Sequence, residues 1–432
     1  MGNRVIVIGG GASGMMAAIT AAENGAEVML LEKNDRLGKK LLITGKGRCN
    51  VTTDKDTDEI IRSFVHNGKF LYTALSSFSN QQVKYFFEDA GVPLKVERGE
   101  RVFPVSDQSK DIVNALRRKM QEANVDVWLN ATVKEVLIED GKACGVQLLN
   151  GQKLMADSVI VATGGASYPG TGTTGDGYHF ARKTGHNVVT LRPSLIPLEC
   201  AEGYVKALQG LSLKNVNFTI ETAQGKKLIQ DFGEMLFTHF GISGPIVLSC
   251  SYKAVDYWQK TKEPLIGIID FKPALTPEKL DARILRDIEE QTNKQLKNSL
   301  HSLMPSKLIP VFIQRAGISP DKAMHQITRE ERQRMVELLK NFRFTITKAR
   351  PIEEAIVTAG GVSVKEVSPK TMESKLVRGL YFTGEVLDID GMTGGFNLQA
   401  AFSTGYLAGT ACTISTGYLA GTACTIEDSG VK

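Results

Sequence analysis

The sequence predicts an α/β fold: a parallel-sheet domain with a small antiparallel meander, interrupted by an inserted β-rich domain that carries a small helical subdomain. Three observations point there. The stretch Val5 to Glu32 runs strand, glycines, helix, strand and acid; a second glycine cluster follows an apolar strand at Val159 to Gly177; a third, Gly394-Gly395, opens a helix near the chain end. Between the last two, alternating strands and short helices punctuated by proline replace the first pattern.

Val5 to Ile8 is an apolar, β-branched run, as expected of a strand buried on both faces of a parallel sheet. Gly9, Gly11 and Gly14 follow with G-x-G-x-x-G spacing. The first permits a tight turn, the second lets backbone approach a pyrophosphate, and the third lets the next helix pack on the strand. Met15 to Asn24 reads as that helix, whose N-terminal N–H groups and dipole favour a phosphate. The second strand, Val28 to Leu31, ends in Glu32, placed to accept hydrogen bonds from a ribose and to repel a 2′-phosphate. This is a Rossmann-like nucleotide site for a non-phosphorylated adenosine.

Length and composition bound the rest. A chain of 432 residues holds two or three domains, and 42% hydrophobic with 23% charged residues is ordinary for a globular protein. No apolar stretch is long enough to span a membrane, and the N-terminus lacks the layout of a signal peptide, so a cytoplasmic protein is expected. Six cysteines, Cys49, Cys144, Cys200, Cys250, Cys412 and Cys424, form no C-x-x-C pair, which argues against a zinc site, any other metal site of that kind and a disulfide framework. The net charge of +5 is compatible with an anionic cofactor or RNA and compels neither.

Leu37 to Thr52, LGKKLLITGKGRCNVT, is dense in glycine and cation and reads as a ligand-facing loop; a solvated basic loop is the plain alternative. Residues 54–104 look mainly helical, with an amphipathic helix at Gln81 to Ala90 and a hairpin at Leu94 to Pro104 turning at Arg98-Gly99-Glu100. Asp111 to Ala123 is an amphipathic helix with Ile112, Leu116 and Met120 on one face. Val125 to Leu129 gives the next strand, Thr132 to Met155 a meander, and Ser158 to Ala162 another buried strand. Six glycines between 164 and 177 cannot build a core; they line a ligand or form a surface loop.

A separate domain begins at about Leu191. Strands are expected at Val216 to Glu221, Lys227 to Asp231, Ile246 to Ser251 and Pro264 to Phe271, then short helices over Pro277 to Lys340 with caps at Thr276 and Thr328. Lys322, Arg329, Arg332, Arg334, Lys340, Arg343, Lys348 and Arg350 form a basic set, read as a solvated face or a patch for RNA or an acidic partner. After Arg350 the chain returns to the first domain, with a strand at Leu380 to Thr383 ending in Gly384-Glu385 and a last helix from Leu398. The expected division is a first domain over 1–190 and 351–414, an insert over 191–350 with its helical subdomain at about 276–340, and a segment at 415–432. That segment begins with an unchanged copy of STGYLAGTACTI, Ser403 to Ile414, at Ser415 to Ile426. Continued as helix, the copy would be rotated by about 120°, so it is read as a duplication or tail without function.

With GGGASG at Gly9, GKKLLITGKGRCN at Gly38, VIVATGGASYPGTGTTGDG at Val159, LFTHFGISGP at Leu236 and YFTGEVLDIDGMTGGFNLQAA at Tyr381, the chain resembles the BaiN/RdsA-type (YhiN-like) bacterial FAD-dependent oxidoreductases, within the glutathione-reductase-like two-domain flavoproteins. The similarity extends to about Ile414. Thr53 is a departure, standing where the pattern leads one to expect asparagine.

The resemblance implies tightly held FAD; NAD(P)H is a candidate transient reductant, and the physiological reductant stays open. Gly9, Gly11, Ser13 and Gly14 would hold the pyrophosphate, Glu32 the adenosine ribose, and Thr163, Gly164 and Gly165 would close over the adenine side; Ala12, Lys33 and Val133 are further expected cofactor-binding positions. Lys40, Thr44, Gly45, Arg48, Cys49 and Asn50 belong to the ligand-facing loop. Gly384 and Glu385 would reach the ribitol, and Gly394, Gly395, Phe396, Asn397 and Leu398 would put a helix N-terminus at the flavin pyrimidine. The resemblance also implies reduction of an activated C=C bond, in a steroid-like enone or in a uridine of ribosomal RNA, with hydride to the β-carbon and an acid protonating the α-carbon. Candidate acids are Cys49 and then His239; either can equally be a packed thiol or a structural imidazole. The competing reading is a flavin-containing protein that binds or modifies RNA through the basic helices. No second strand–G-x-G-x-x-G–helix unit lies between Leu191 and Arg350, so no dedicated NAD(P)H domain is predicted. The reactive ring is expected in a cleft between the two domains, reached by Arg48 to Asn50, Tyr168 to Gly172 and Phe237 to Gly244.

Overall fold

A computed structural model of the protein describes residues 3–414, so the duplicated segment lies outside the described residues. The chain divides into two compact units: Met1–Leu191 with Ala359–Lys432, and Arg192–Thr358.

The first unit is built on a five-stranded parallel sheet ordered Leu380–Phe382, Ser158–Val161, Arg4–Ile8, Glu27–Leu31 and Asp126–Trp128. The N-terminal strand is central, with its successor on one side and a much later strand on the other. That reversal is a topological switch point, and open α/β sheets bind ligands at the carboxyl ends of strands there. The predicted meander is present as three antiparallel strands, Val133–Glu139, Lys142–Leu148 and Lys153–Met155.

The first helix begins three residues earlier than its apolar pattern suggested, at Ala12, and runs to Glu23. Residues Ala12 to Ala21 are buried all round it, the signature of a helix covered on every side. Part of that cover is the last helix, Phe396–Ala411, which begins at Phe396 rather than Leu398. A Cβ on Gly405 would lie 2.3 Å from the Ser13 carbonyl oxygen, so only glycine permits this approach. Chain ends almost four hundred residues apart therefore close one core.

The stretch read as an open loop after Leu37 contains a short helix, Lys39–Ile43, whose N-cap Gly38 is left-handed at φ +69°. Two brief strands were not expected from the sequence: Thr52–Thr53, which pairs with Arg101–Pro104, and Phe64–His66, which pairs with Asp390–Gly391. Two or three residues carry too little periodicity to be recognised alone.

The second unit is a closed six-stranded barrel ordered Leu198–Cys200, Gly241–Ser243, Lys227–Phe237, Ser212–Thr222, Leu265–Asp270 and Phe342–Ala349, the last pairing back to the first. The expected strand at Ile246 to Ser251 is instead part of a helix, Pro245–Trp258. Its buried residues Ile246, Val247, Cys250, Ser251, Ala254 and Val255 repeat at helical spacing, and Pro245 sits at the first helical turn, where its missing N–H costs nothing. A short apolar run does not separate strand from buried helix; the longer period does. The helical subdomain is Pro277–Glu290, Ile309–Ala316 and Arg329–Lys340, and Thr276 and Thr328 cap the first and last through their side chains. Among the described residues no helix is long and apolar enough to cross a membrane, and no cluster of metal-ligating side chains is present.

Candidate functional site

Three glycine-rich segments distant in sequence meet at the carboxyl end of the parallel sheet. Gly14 packs so tightly under the first turn that a Cβ there would sit 1.9 Å from the Gly9 carbonyl oxygen. Gly11, the N-cap of the first helix, has no side-chain cap, and a Cβ there would meet nothing within 4 Å. The helix thus presents uncapped N–H groups to open space. Beside it, a Cβ on Gly384 would lie 2.7 Å from the Ser13 Oγ. The last helix repeats the arrangement: its N-cap Gly395, at φ +99°, has no side-chain cap and lies against the backbone of Thr52, 2.3 Å from a built Cβ to the carbonyl oxygen. The turns at Gly9, Gly384, Gly395 and the strand after Asn50 are therefore neighbours in one unit.

Buried polar atoms mark the same place. Asn50 Oδ1, Thr163 Oγ1 and Thr383 Oγ1 are buried without a hydrogen-bond partner among the described residues. Leaving such a group unmet costs about 1–3 kcal/mol, so a bound ligand or ordered water is the expected partner. Thr163 and Thr383 follow adjacent parallel strands, and Asn50 belongs to the GKGRCN motif. The residues fit a dinucleotide: two uncapped helix N-termini, open space at Gly11, and unmet polar groups on three motifs.

Glu32 is 8% exposed and works inside the protein as well as at its edge. Its Oε2 accepts from the Gly10 N–H at 2.8 Å, and its Oε1 accepts from the Asn34 N–H at 2.8 Å and Asn34 Nδ2 at 2.7 Å. The acid read as a ribose partner also pins the glycine turn. Lys33 Nζ pairs with Asp176 Oδ2 at 2.6 Å. Lys40 Nζ donates to Glu385 Oε2 at 2.7 Å and Ser167 Oγ at 2.8 Å, joining three motifs in one polar cluster.

Other residues singled out in the sequence are held differently. The Arg48 guanidinium bonds to Glu97 and Asp107 and lies over the Phe103 ring, 4.1 Å from its centroid. It clamps the loop onto the hairpin, so its charge is engaged there. Thr44 Oγ1 donates to the Leu41 carbonyl, which ends the short helix. Val133 is a buried residue at the start of its meander strand, opposite Leu148. Cys49 is wholly buried, and burial pushes its thiol up to about 12, opposed by a hydrogen bond with Thr44. Lost hydration of the thiolate dominates. His239 lies in the second unit, between strands Lys227–Phe237 and Gly241–Ser243, its ring edge-on to Phe240.

Sequence reasoning missed a buried polar chain under the last helix: Thr52 Oγ1 donates to Gln399 Oε1, and Gln399 Nε2 donates to Ser403 Oγ at 2.8 Å and the Phe78 carbonyl at 3.1 Å. Its bonded partners are up to 347 residues apart, so no local signal could find it.

The family described as HI0933-like protein Rossmann domain matches residues 3–411. A 3-dehydro-bile acid delta(4,6)-reductase of Clostridium scindens is 32% identical over 95% of this chain and 98% of its own length. A ribosomal RNA dihydrouridine synthase of Haemophilus influenzae is 33% identical over 93% of this chain and 96% of its own. Among solved structures, a 3-ketosteroid delta1-dehydrogenase from Sterolibacterium denitrificans aligns over 95% of this chain and 99% of that one, with a TM-score of 0.54 at 14% identity, a likeness of fold.

Proposed function

The chain belongs to the HI0933-like Rossmann-domain family and is an FAD-dependent oxidoreductase, and from that premise we propose that it reduces an activated C=C bond in a small molecule. The observation that carries this reading is the meeting, in one unit, of two glycine-capped helix N-termini with the carboxyl ends of the parallel strands. The similarity to a bile acid reductase along nearly its whole length supports the substrate class.

Bound there, FAD would supply a hydride to the β-carbon of an enone. The protein's own part is to hold and orient. The first-turn N–H groups after Gly11 and the Ser13 hydroxyl would meet the pyrophosphate, and Glu32 a ribose. Lys40 neutralises Glu385 where ribitol hydroxyls are expected, and the uncapped start of the last helix offers a positive end to the pyrimidine edge.

Anaerobic reduction of the purified flavoprotein with NADH, NADPH or dithionite, then mixing with cyclohexenone or a steroid enone, tests this. Reoxidation of the flavin with a product heavier by two hydrogens is expected. Flavin that stays reduced with every enone would sink the reading. Cys49→Ala is expected to leave both half-reactions at wild-type rates and to cost about 1 kcal/mol of stability, the transfer term of a small buried group. Selective slowing of enone reduction would instead make Cys49 the acid.

A uridine C=C obeys the same chemistry, and the dihydrouridine synthase relative keeps an RNA substrate in view. The basic set does not favour it. Lys322, Arg332, Lys340, Arg343, Lys348 and Arg350 are ion-paired, with Glu331, Asp281, Asp270, Glu221, Glu199 and Glu199 respectively, and Arg334 donates to the Ala316 carbonyl. These cations are engaged by carboxylates and a carbonyl of their own unit. RNA binding that weakens steeply with salt would revive the alternative.

A further inference from the structure

The strand Phe64–His66 lies antiparallel to Asp390–Gly391, with His66 directly opposite Asp390. His66 Nδ1 is 2.6 Å from Asp390 Oδ1; the imidazole is 26% exposed and the carboxylate 0%. The pair is stitched to the start of the last helix. The Met392 N–H donates to the Ser63 carbonyl at 2.9 Å, and Asn397, in the first helical turn, accepts from the Gly391 N–H at 2.8 Å and returns its Nδ2 to the Gly391 carbonyl at 2.8 Å. Asn67 Nδ2 also donates to the Asp388 carbonyl at 2.7 Å. Gly394 follows Asp390 by four positions, a chain reach of at most about 14 Å, and the Asn397 bonds to Gly391 tie the residue after Asp390 to the first turn of the helix assigned to the pyrimidine edge.

A buried carboxylate on one ring nitrogen fixes both orientation and tautomer of a histidine, holding Nδ1–H and making Nε2 the position that exchanges a proton. Resting on the C=C reading above, we propose that His66 is the catalytic acid, with Asp390 as its positioning residue. As hydride reaches the β-carbon, the C=C electron pair forms the new C–H bond at the α-carbon with the Nε2 proton. The substrate gains two electrons and one proton beyond the hydride nucleus, the flavin loses the hydride, and the neutral imidazole takes its next proton from water. Among the acids considered, His66 combines partial exposure with a buried orienting carboxylate, which the buried Cys49 thiol lacks.

His66→Gln, loaded with FAD, is expected to undergo flavin reduction at the wild-type rate and to transfer to cyclohexenone about 10²-fold or more slowly, the usual share of a positioned acid. An unchanged transfer rate overturns the proposal alone. A wild-type protein that reduces no enone overturns the C=C reading and the role of His66 with it. A readout independent of turnover, and of whether the variant folds, uses wild-type apoprotein: diethylpyrocarbonate should carbethoxylate His66, and added FAD should suppress that while exposed His301 still reacts, as read by peptide mass spectrometry. Equal labelling of His66 with and without FAD overturns the proposal.

Discussion

Gly14→Ala is expected to yield a protein that cannot retain FAD. Elsewhere in a helix this change helps, since alanine is favoured over glycine by about 1 kcal/mol. Here the added methyl would lie 1.9 Å from the Gly9 carbonyl oxygen and 3.2 Å from the Ala162 Cβ. The first obstacle is backbone of the turn proposed to cradle the pyrophosphate, the second the end of the neighbouring strand, and neither can rotate away. Overpacking of this kind costs about 1–3 kcal/mol or more, which exceeds the propensity gain. The helix must lift from the strand, taking its N–H groups out of line. Flavin absorbance after desalting measures the loss, expected to be about hundredfold in affinity if about 3 kcal/mol falls on the bound state. A variant that purifies with a full complement of FAD would show that the turn is not the pyrophosphate cradle.

Glu32→Ala should be the next most damaging change, because two roles fail at once. Three donors, the Gly10 N–H, the Asn34 N–H and Asn34 Nδ2, lose a charged acceptor, and hydrogen bonds to charged groups contribute about 1.5–3 kcal/mol each before rearrangement and water recover part of it. The thermal midpoint of apoprotein reads that loss without any ligand. FAD affinity should fall by a further factor of about ten to a hundred through the missing ribose contact. Lower apoprotein stability with unchanged FAD affinity would confine Glu32 to pinning the turn, and the ribose contact would have to come from elsewhere.

Much of this was legible locally. Strand, glycine turn, helix and acid follow one another within thirty residues, and each obeys a rule that needs only its neighbours: β-branched burial, a turn that excludes side chains, a helix start without a cap. The same holds for Thr276 and Thr328, whose capping depends on residues three positions away. Segments whose identity depends on what covers them were less legible. Ile246 to Ser251 is apolar enough for a strand, and its helical repeat emerges only when the following buried positions, Ala254 and Val255, are counted.

By itself the sequence determined that this protein has a Rossmann-like domain with glycine-rich helix starts near both chain ends, because backbone clearance and helix dipoles are written in glycine positions. It also determined which carboxylate ends the second strand. Tertiary structure alone decided what the charged and nucleophilic side chains do with their chemistry. Arg48 is bound to a hairpin fifty residues on, Cys49 is sealed from water, and the cations after Lys322 mostly find carboxylates on other elements. His66 meets Asp390 across 324 residues through a strand of three. Electrostatic and acid–base character depends on hydration and on partners within a few ångströms, and chain separation carries no information about either until the backbone has closed.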